Sequence, residues 1–299
     1  MNRKTKQIMG RVVVIILLAV FSLIINQSVL TPKEETIPAQ SDLTNIIEVH
    51  IIDVGQGDSI LIETKDHSML IDAGENNKGA TVLDYLESQN IEKLDYIIGT
   101  HPHSDHIGGL DTVIRSIPVS KVIMPNVTHT TKTFEDVLDA LKEKKLTITK
   151  AVVGDQYTLG PASFQIISPN SECYDELNNY SVGIKLTFAD NSFLFAGDAE
   201  KLSEDEMRKN GIDLSCDVMK LGHHGSTSSS SSDFLDAVNL TKAIISVGAD
   251  NEYGHPHEEI LQAMKDRNIE VYRTDQQGTL VFTSDGKTIS VAADEYKTK

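Results

Sequence analysis

The sequence predicts an α/β fold, a layered αββα sandwich in which two facing mixed β-sheets are covered by helices. Three observations carry that expectation. Strand-like and helical segments alternate through residues 46–295, several apolar runs end on a polar side chain, and each half of this stretch mixes strands with surface helices. No short-period repeat interrupts the pattern.

The elements follow in chain order. IIEVHIIDV (46–54) and DSILIE (58–63) read as strands joined by the turn Gly55-Gln56-Gly57, and SMLIDAG (68–74) is a third. KGATVLDYLESQN (78–90) has helical periodicity, DYIIGT (95–100) is a short apolar strand, and GGLDTVIRSI (108–117) reads as a helix. VSKVIM (119–124) is a strand and TFEDVLDALKEKK (133–145) an amphipathic helix. SFQIIS (163–168), SVGIKLTF (181–188) and SFLFAGDA (192–199) are strands, the last two paired over Ala189-Asp190-Asn191. EKLSEDEMRKN (200–210) is a helix, DVMKLG (217–222) and AIISVGA (243–249) are strands, and HEEILQAMKDRN (257–268) is a helix. GTLVFTSDGKTISVA (278–292) closes as a hairpin. The Ser/Thr-rich run 226–232 reads as a flexible loop and helix start, in a position to act as a lid.

Charge is uneven along the chain. Residues 1–30 hold Arg3, Lys4, Lys6 and Arg11 and no acid; the remainder carries 23 Lys and Arg against 44 Asp and Glu, a net charge of −21. Such a body is repelled on average by phosphate backbones, which makes nucleic acid an awkward partner. The basic start is followed by a continuous apolar run from Val12 to Ile25. Residues 1–30 are therefore expected to be a signal peptide or a membrane anchor, residues 31–45 a linker, and residues 46–295 an exported domain. The protein is expected to be secreted or held at the outer face of the cytoplasmic membrane. Cys173 and Cys216 have no metal-type spacing; free or buried thiols are expected, although one bridge is compatible with the sequence.

The chemistry centres on THPHSDHIGG. His101, His103, Asp105 and His106 fall within six positions at the end of an apolar strand. Pro102 biases His101 toward extended backbone, so His101 and His103 can point the same way while Asp105 and His106 serve a second position. Two divalent ions roughly 3.5–4 Å apart fit this division. Asp198 ends the run FLFAGDAE, where a carboxylate can bridge two cations. His223 and His224 follow DVMKLG, and Asp72 ends SMLID. Each lies just past an apolar run, so all can meet at one sheet edge. No glycine-rich loop with a following lysine offers a metal-free phosphate cradle. His129 reads as a surface-loop residue, and residues 55–58 by themselves as a tight hairpin.

Asp72, His101-x-His103-x-Asp105-His106, Asp198 and His223-His224, in that order, resemble the metallo-β-lactamase superfamily. More narrowly, IIDVGQGDSILIE, THPHSDHIGGLD, FLFAGDAE, LGHHGSTSSSSSDFL and YGHPH resemble the C-terminal hydrolase domain of ComEC-type DNA-uptake proteins. Stand-alone exported hydrolases, including surface phosphorylcholine esterases, share the pattern. The resemblance covers about residues 46–295 and implies two divalent ions per chain, zinc or manganese. One would take His101, His103 and Asp198, the other Asp105, His106, Asp198 and one of the paired histidines. His224 is expected to be that ligand, with His223 as neighbour or substrate contact. The resemblance gives Asp72 the task of orienting a ligand histidine. His255 is expected to donate a proton or contact phosphate, or alternatively to cap its loop. Asp105, His223, His255 and Asp72 are thus the expected catalytic group.

Two departures matter. One apolar segment cannot form the multi-helix channel of a ComEC protein, so translocation of DNA by this chain alone is not expected. Most superfamily members also place a further histidine where this chain reads LNNYSVGIKLTF, with Asn178, Asn179 and Ser181. The first ion would then have only three protein ligands, so that it exchanges more readily or the site prefers manganese over zinc. The expected activity is hydrolysis of a phosphodiester, either DNA or a small envelope component. A non-catalytic metal-binding module at the cell surface is the alternative, and the sequence indicates no protein partner.

Overall fold

The structure, a computed structural model, describes residues 45–294. The expected N-terminal segment and nearly all of the linker lie outside the described residues, among which no helix is long and apolar enough to cross a membrane.

Period-two alternation along the strands sends one row of side chains between two sheets and the other row beneath helices. The first sheet is built from β1 (Ile47–Ile51), β2 (Ile60–Glu63), β3 (Ser68–Ile71), β4 (Leu94–Ile98), β5 (Val119–Met124) and β6 (Ile148–Lys150). The second contains β7 (Gln156–Leu159), β8 (Ala162–Ser168), β9 (Gly183–Phe188), β10 (Asn191–Phe195), β11 (Val218–Lys220), β12 (Lys242–Ile245) and β13 (Glu270–Arg273). The chain then returns to the first sheet through β14 (Leu280–Ser284) and β15 (Ile289–Ala293), giving the orders β15-β14-β1-β2-β3-β4-β5-β6 and β13-β12-β11-β10-β9-β8-β7.

Ile47, Val49, Ile51, Phe164, Phe193 and Phe282 pack between the sheets. Helices α1 (Gly79–Ser88), α2 (Ser104–Ile107), α3 (Leu110–Ser116) and α4 (Lys132–Lys144) cover the first sheet through a second apolar layer including Leu61, Leu70, Val82 and Phe134. Helices α5 (Lys201–Lys209), α6 (Ser232–Val238) and α7 (Glu258–Asp266) cover the second sheet, where Met207, Phe234 and Met264 pack on Leu194 and Met219. This is the expected αββα sandwich.

Strand direction places the site. β3 through β6 run parallel, as do β10 through β13. In a parallel set every strand delivers its following residue to the same edge, beyond the carboxyl ends. Asp72 follows β3, His101 follows β4, Asp198 follows β10, and His223 and His224 follow β11.

The structure adds strands that the sequence pattern did not single out. β6, β7 and β13 are three or four residues long and largely solvent-facing. Their polar composition hides the alternation that marks longer strands. The serine-rich run 226–232 also differs from the flexible lid expected. Ser226, Ser229 and Ser230 are buried. Ser229 donates to the Ala199 carbonyl at 2.8 Å, while the amides of Ser230 and Ser231 both bond Glu204. Polar composition there satisfies buried backbone; it does not loosen the chain.

Candidate metal centre

The histidine cluster is held at close quarters by glycine. Gly57 has φ +125°, and a Cβ there would fall 2.2 Å from the Asp105 carbonyl oxygen. Its absence lets the 55–58 turn press against α2, where the Asp58 amide donates to that carbonyl at 3.1 Å. Across the site, Asp72, His223 and His224 all sit at positive φ, 57°, 49° and 54°. Non-glycine residues in this region store strain and concentrate at functional sites. Consecutive left-handed residues at His223 and His224 separate their side chains: His224 is buried, whereas His223 is about a quarter exposed.

Four side chains from three segments converge. His106 Nε2 lies 3.1 Å from Asp198 Oδ2 and 3.8 Å from Asp105 Oδ2. His224 Nε2 lies 3.4 Å from the same Asp198 oxygen and 3.3 Å from Asp105 Oδ2. Both ring nitrogens are buried without a hydrogen-bond partner, as is Asp198 Oδ1. The other nitrogen of each ring is engaged. His106 Nδ1 is 2.8 Å from Asp72 Oδ2, and His224 Nδ1 is 2.9 Å from the Ser246 carbonyl oxygen. Such bonds fix the ring orientation and tautomer, turning each Nε2 inward.

Asp72 is itself fixed. The Thr100 amide donates to its Oδ1 at 2.8 Å and the Thr100 hydroxyl to its Oδ2 at 2.6 Å. His101 and His103 adjoin the four-residue group as a separate pair, with His101 Nε2 3.0 Å from His103 Nδ1. The His101 ring centre is 4.2 Å from that of His106.

Charge is concentrated here. Burial alone would lower His106 and His224, but Asp198, supported by Asp105, outweighs it and holds both well above the usual imidazole range. Burial would likewise raise Asp198; the two histidines reverse this and hold it well below the carboxylate range. Protons on two imidazoles thus balance the acids where a single divalent cation fits. The donor spacings of 3.1–3.8 Å suit the edges of a coordination shell with bonds of about 2.0–2.2 Å. Two imidazole nitrogens and two carboxylates form a donor set for zinc or manganese. The residues fit a metal ion.

A cleft of about 270 Å³ opens over this group, lined by Gln56, His103, Asp105, His223, Tyr253 and His255 among others. His223 Nε2 stands 3.9 Å from Asp198 Oδ2, while its Nδ1 contacts Ser228 Oγ at 2.9 Å. The His255 ring centre is 5.4 Å from that of His223. Burial and the neighbouring histidines push His255 down to about 4.

A family model described as the metallo-beta-lactamase superfamily matches residues 52–249, a span that includes Asp72, the histidine cluster, Asp198 and His223-His224. The chain belongs to the metallo-beta-lactamase superfamily. ComE operon protein 3 of Bacillus subtilis (strain 168) is 32% identical over 253 residues, covering 79% of this chain and 33% of that protein. Competence protein ComA of Neisseria gonorrhoeae is 28% identical over 240 residues, covering 80% of this chain and 32% of that protein. These are ComEC-type competence proteins, and the chain spans about a third of their length. The metallo-beta-lactamase fold protein YhfI from Bacillus subtilis has a TM-score of 0.52 at 13% identity, covering 80% of this chain and 100% of that one. At that identity the likeness is one of fold.

In the stretch LNNYSVGIKLTF, Asn179 and Ser181 fasten backbone amides and Asn178 bonds a side chain. Asn179 Oδ1 accepts from the Glu200 and Ser203 amides, each at 3.2 Å, and Asn178 Nδ2 donates to Glu200 Oε1 at 3.1 Å. Ser181 Oγ accepts from the Asp198 amide at 3.1 Å and lies 3.3 Å from His101 Nδ1. These bonds hold Asp198 and His101 in position.

Sequence reasoning missed the charge beneath the centre. Asp58 and Lys220 are both buried, and Lys220 Nζ is 2.5 Å from Asp58 Oδ2 and 3.7 Å from Asp198 Oδ1. Burial would raise Asp58 and lower Lys220. Lys220 outweighs that penalty for Asp58, and Asp58 with Asp198 outweighs it for Lys220, so both stay charged. The available signal was a lysine inside the apolar run VMKL. His129 is half-buried at Thr131, and Cys173 and Cys216 are separate thiols, the first exposed and the second buried. Removing one partner of a buried pair leaves an uncompensated charge, so Lys220→Met is expected to cost about 3–5 kcal/mol of stability. Urea unfolding measures this, and Lys220→Met combined with Asp58→Asn is expected to recover part of the loss.

Proposed function

We propose that the protein is a divalent-metal-dependent phosphodiesterase. The observation that carries this reading is the convergence of two orphaned imidazole nitrogens and two carboxylates at the floor of a polar cleft. Asp105, His106, Asp198 and His224 would hold one ion. His101 and His103, with Asp198, would hold a second and more exchangeable one. Divalent ions there supply positive charge that polarises a phosphoryl oxygen and acidifies water.

The chain's own residues do the rest. Asp72, tied by Thr100, fixes the His106 ring, and the Ser246 carbonyl fixes His224. Lys220 counters the buried acids from below. Asp105, partly exposed, faces the cleft, where it can orient an incoming water. His223 and His255 line the wall, where an imidazole can bond a non-bridging oxygen or meet the leaving group. The rigid arrangement keeps these groups in place before a substrate arrives, the condition for electrostatic stabilisation of a transition state.

A small phosphodiester of the cell envelope is favoured over DNA by the net charge of −21 on residues 31–299. The basic-then-apolar N-terminal sequence supports a body outside the cytoplasmic membrane. Similarity to competence proteins supports the DNA alternative. Cleavage of single-stranded DNA and of a phosphorylcholine ester, compared across salt, separates the two, since DNA cleavage weakens steeply as salt rises.

The full chain is expected to hydrolyse bis-p-nitrophenyl phosphate with added manganese or zinc and to stop on chelation. Asp198→Ala should lower the rate on the order of 10²–10³-fold. Activity that persists in chelator, or an unchanged rate in Asp105→Ala combined with Asp198→Ala, refutes the reading. Asp72→Asn, which leaves the donor set intact, is expected to weaken metal affinity about 10–100-fold, as read by competition with a chromophoric chelator.

A further inference from the structure

A second group of ligand-type side chains lies on the helix-covered face of the first sheet. Glu48 and Glu63 are directly opposed in the antiparallel β1–β2 pair, and His50 lies two residues along β1 on the same face. Like charges opposed across strands are unfavourable, and this pair is not at a loose edge: β1 is flanked by β14 and β2 by β3. The Thr283 hydroxyl donates to Glu48 Oε1 at 3.2 Å, and a positive group beside Glu48 Oε2 and Glu63 would relieve the remaining repulsion.

The bonding of His50 shows where. The ring is 2% exposed, with Nδ1 2.8 Å from the Tyr85 hydroxyl. Tyr85 donates its own hydrogen to Asp294 Oδ2 at 2.7 Å, and burial beside that acid pushes the phenol upward, so the hydrogen stays. The hydrogen shared by His50 and Tyr85 is therefore on Nδ1. In neutral His50 this leaves a lone pair on Nε2, and that atom is buried with no hydrogen-bond partner. It points at acids: Nε2 is 3.1 Å from Glu63 Oε1 and 4.0 Å from Glu48 Oε2.

We propose that Glu48, His50 and Glu63 form a second divalent-cation site, distinct from the centre at the strand ends and independent of the hydrolase reading. One atom from each residue lies within 4.8 Å of the others. One imidazole and two carboxylates favour a borderline ion such as zinc or manganese over calcium or magnesium. The Tyr85–Asp294 bond pair holds the ring as outer partners hold metal-binding histidines. Glu48 is 37% exposed, which gives a path in and room for water to complete the shell. Glu48 and Glu63 lie at the end of β1 and β2 remote from the 52–59 turn, with His50 two residues nearer to it, so the ion would tie these strands together beneath α1.

The competing arrangement is a doubly protonated His50, which needs no ion. Zinc content of the full chain after loading and desalting decides between them, with Glu63→Gln measured in parallel. The site predicts that Glu63→Gln carries one zinc fewer per chain, keeps the ions of the strand-end centre and shows a smaller zinc-induced rise in Tm. Equal zinc content in wild type and Glu63→Gln overturns it. Should Glu63→Gln fail to fold by circular dichroism, the more exposed Glu48→Gln decides by the same count. Hydrolysis plays no part in the readout, so failure of the phosphodiesterase reading leaves this test intact.

Discussion

The carboxylate of Asp198 is the point on which the site depends. It is almost wholly buried and faces His106, His224, His223 and Lys220 at distances of 3.1–3.9 Å. A buried anion is tolerated only when paired and bonded, and Asp198 is compensated from several directions. The Ser181 hydroxyl fixes its backbone, Lys220 stands below it, and the histidines stand above. What these partners leave open is a pocket of ring nitrogens and carboxylate oxygens with no bonds among them suited to their geometry. A cation there would complete that set more fully than protons on the histidines, with His106 and His224 as neutral ligands.

The architecture makes this convergence possible. Parallel strands in each sheet end at a shared edge, and the two sheets face each other over a continuous apolar core. Residues as far apart in the chain as Asp72, His106, Asp198 and His224 therefore reach one place without a long flexible loop. The cost is local: positive φ at Asp72, His223 and His224, together with a buried Asp58–Lys220 pair. The apolar layers on both sides of each sheet offset it.

Much of this was legible in the sequence because the residues that matter end apolar runs. His101 to His106, Asp198 and His224 stand out against Ile, Phe and Leu neighbours, and runs such as SFLFAGDA and DYIIGT mark where a strand ends. Asp58 and Lys220 were not legible, since a lone acid after a glycine turn resembles any hairpin and a lone lysine resembles an exposed one; only the three-dimensional pairing shows both to be buried. The resemblance had already set His224 apart from His223 as the expected ligand, but the physical reason waited for the backbone, where left-handed φ values accompany a buried His224 and a partly exposed His223. The serine run 226–232 misled for a related reason. Its hydroxyls and amides bond Ala199 and Glu204 across the fold, which composition cannot reveal. β6, β7 and β13 escaped because short edge strands expose both faces and lose their alternation.

Occupancy of the pocket around Asp198 by a cation is the decisive property of the site. Diffraction from zinc-soaked crystals of the full chain, recorded at the zinc absorption edge, tests this directly. An anomalous peak enclosed by Asp105, His106, Asp198 and His224 is expected. A map with no peak inside that ring of side chains, with the side chains placed as described, contradicts it.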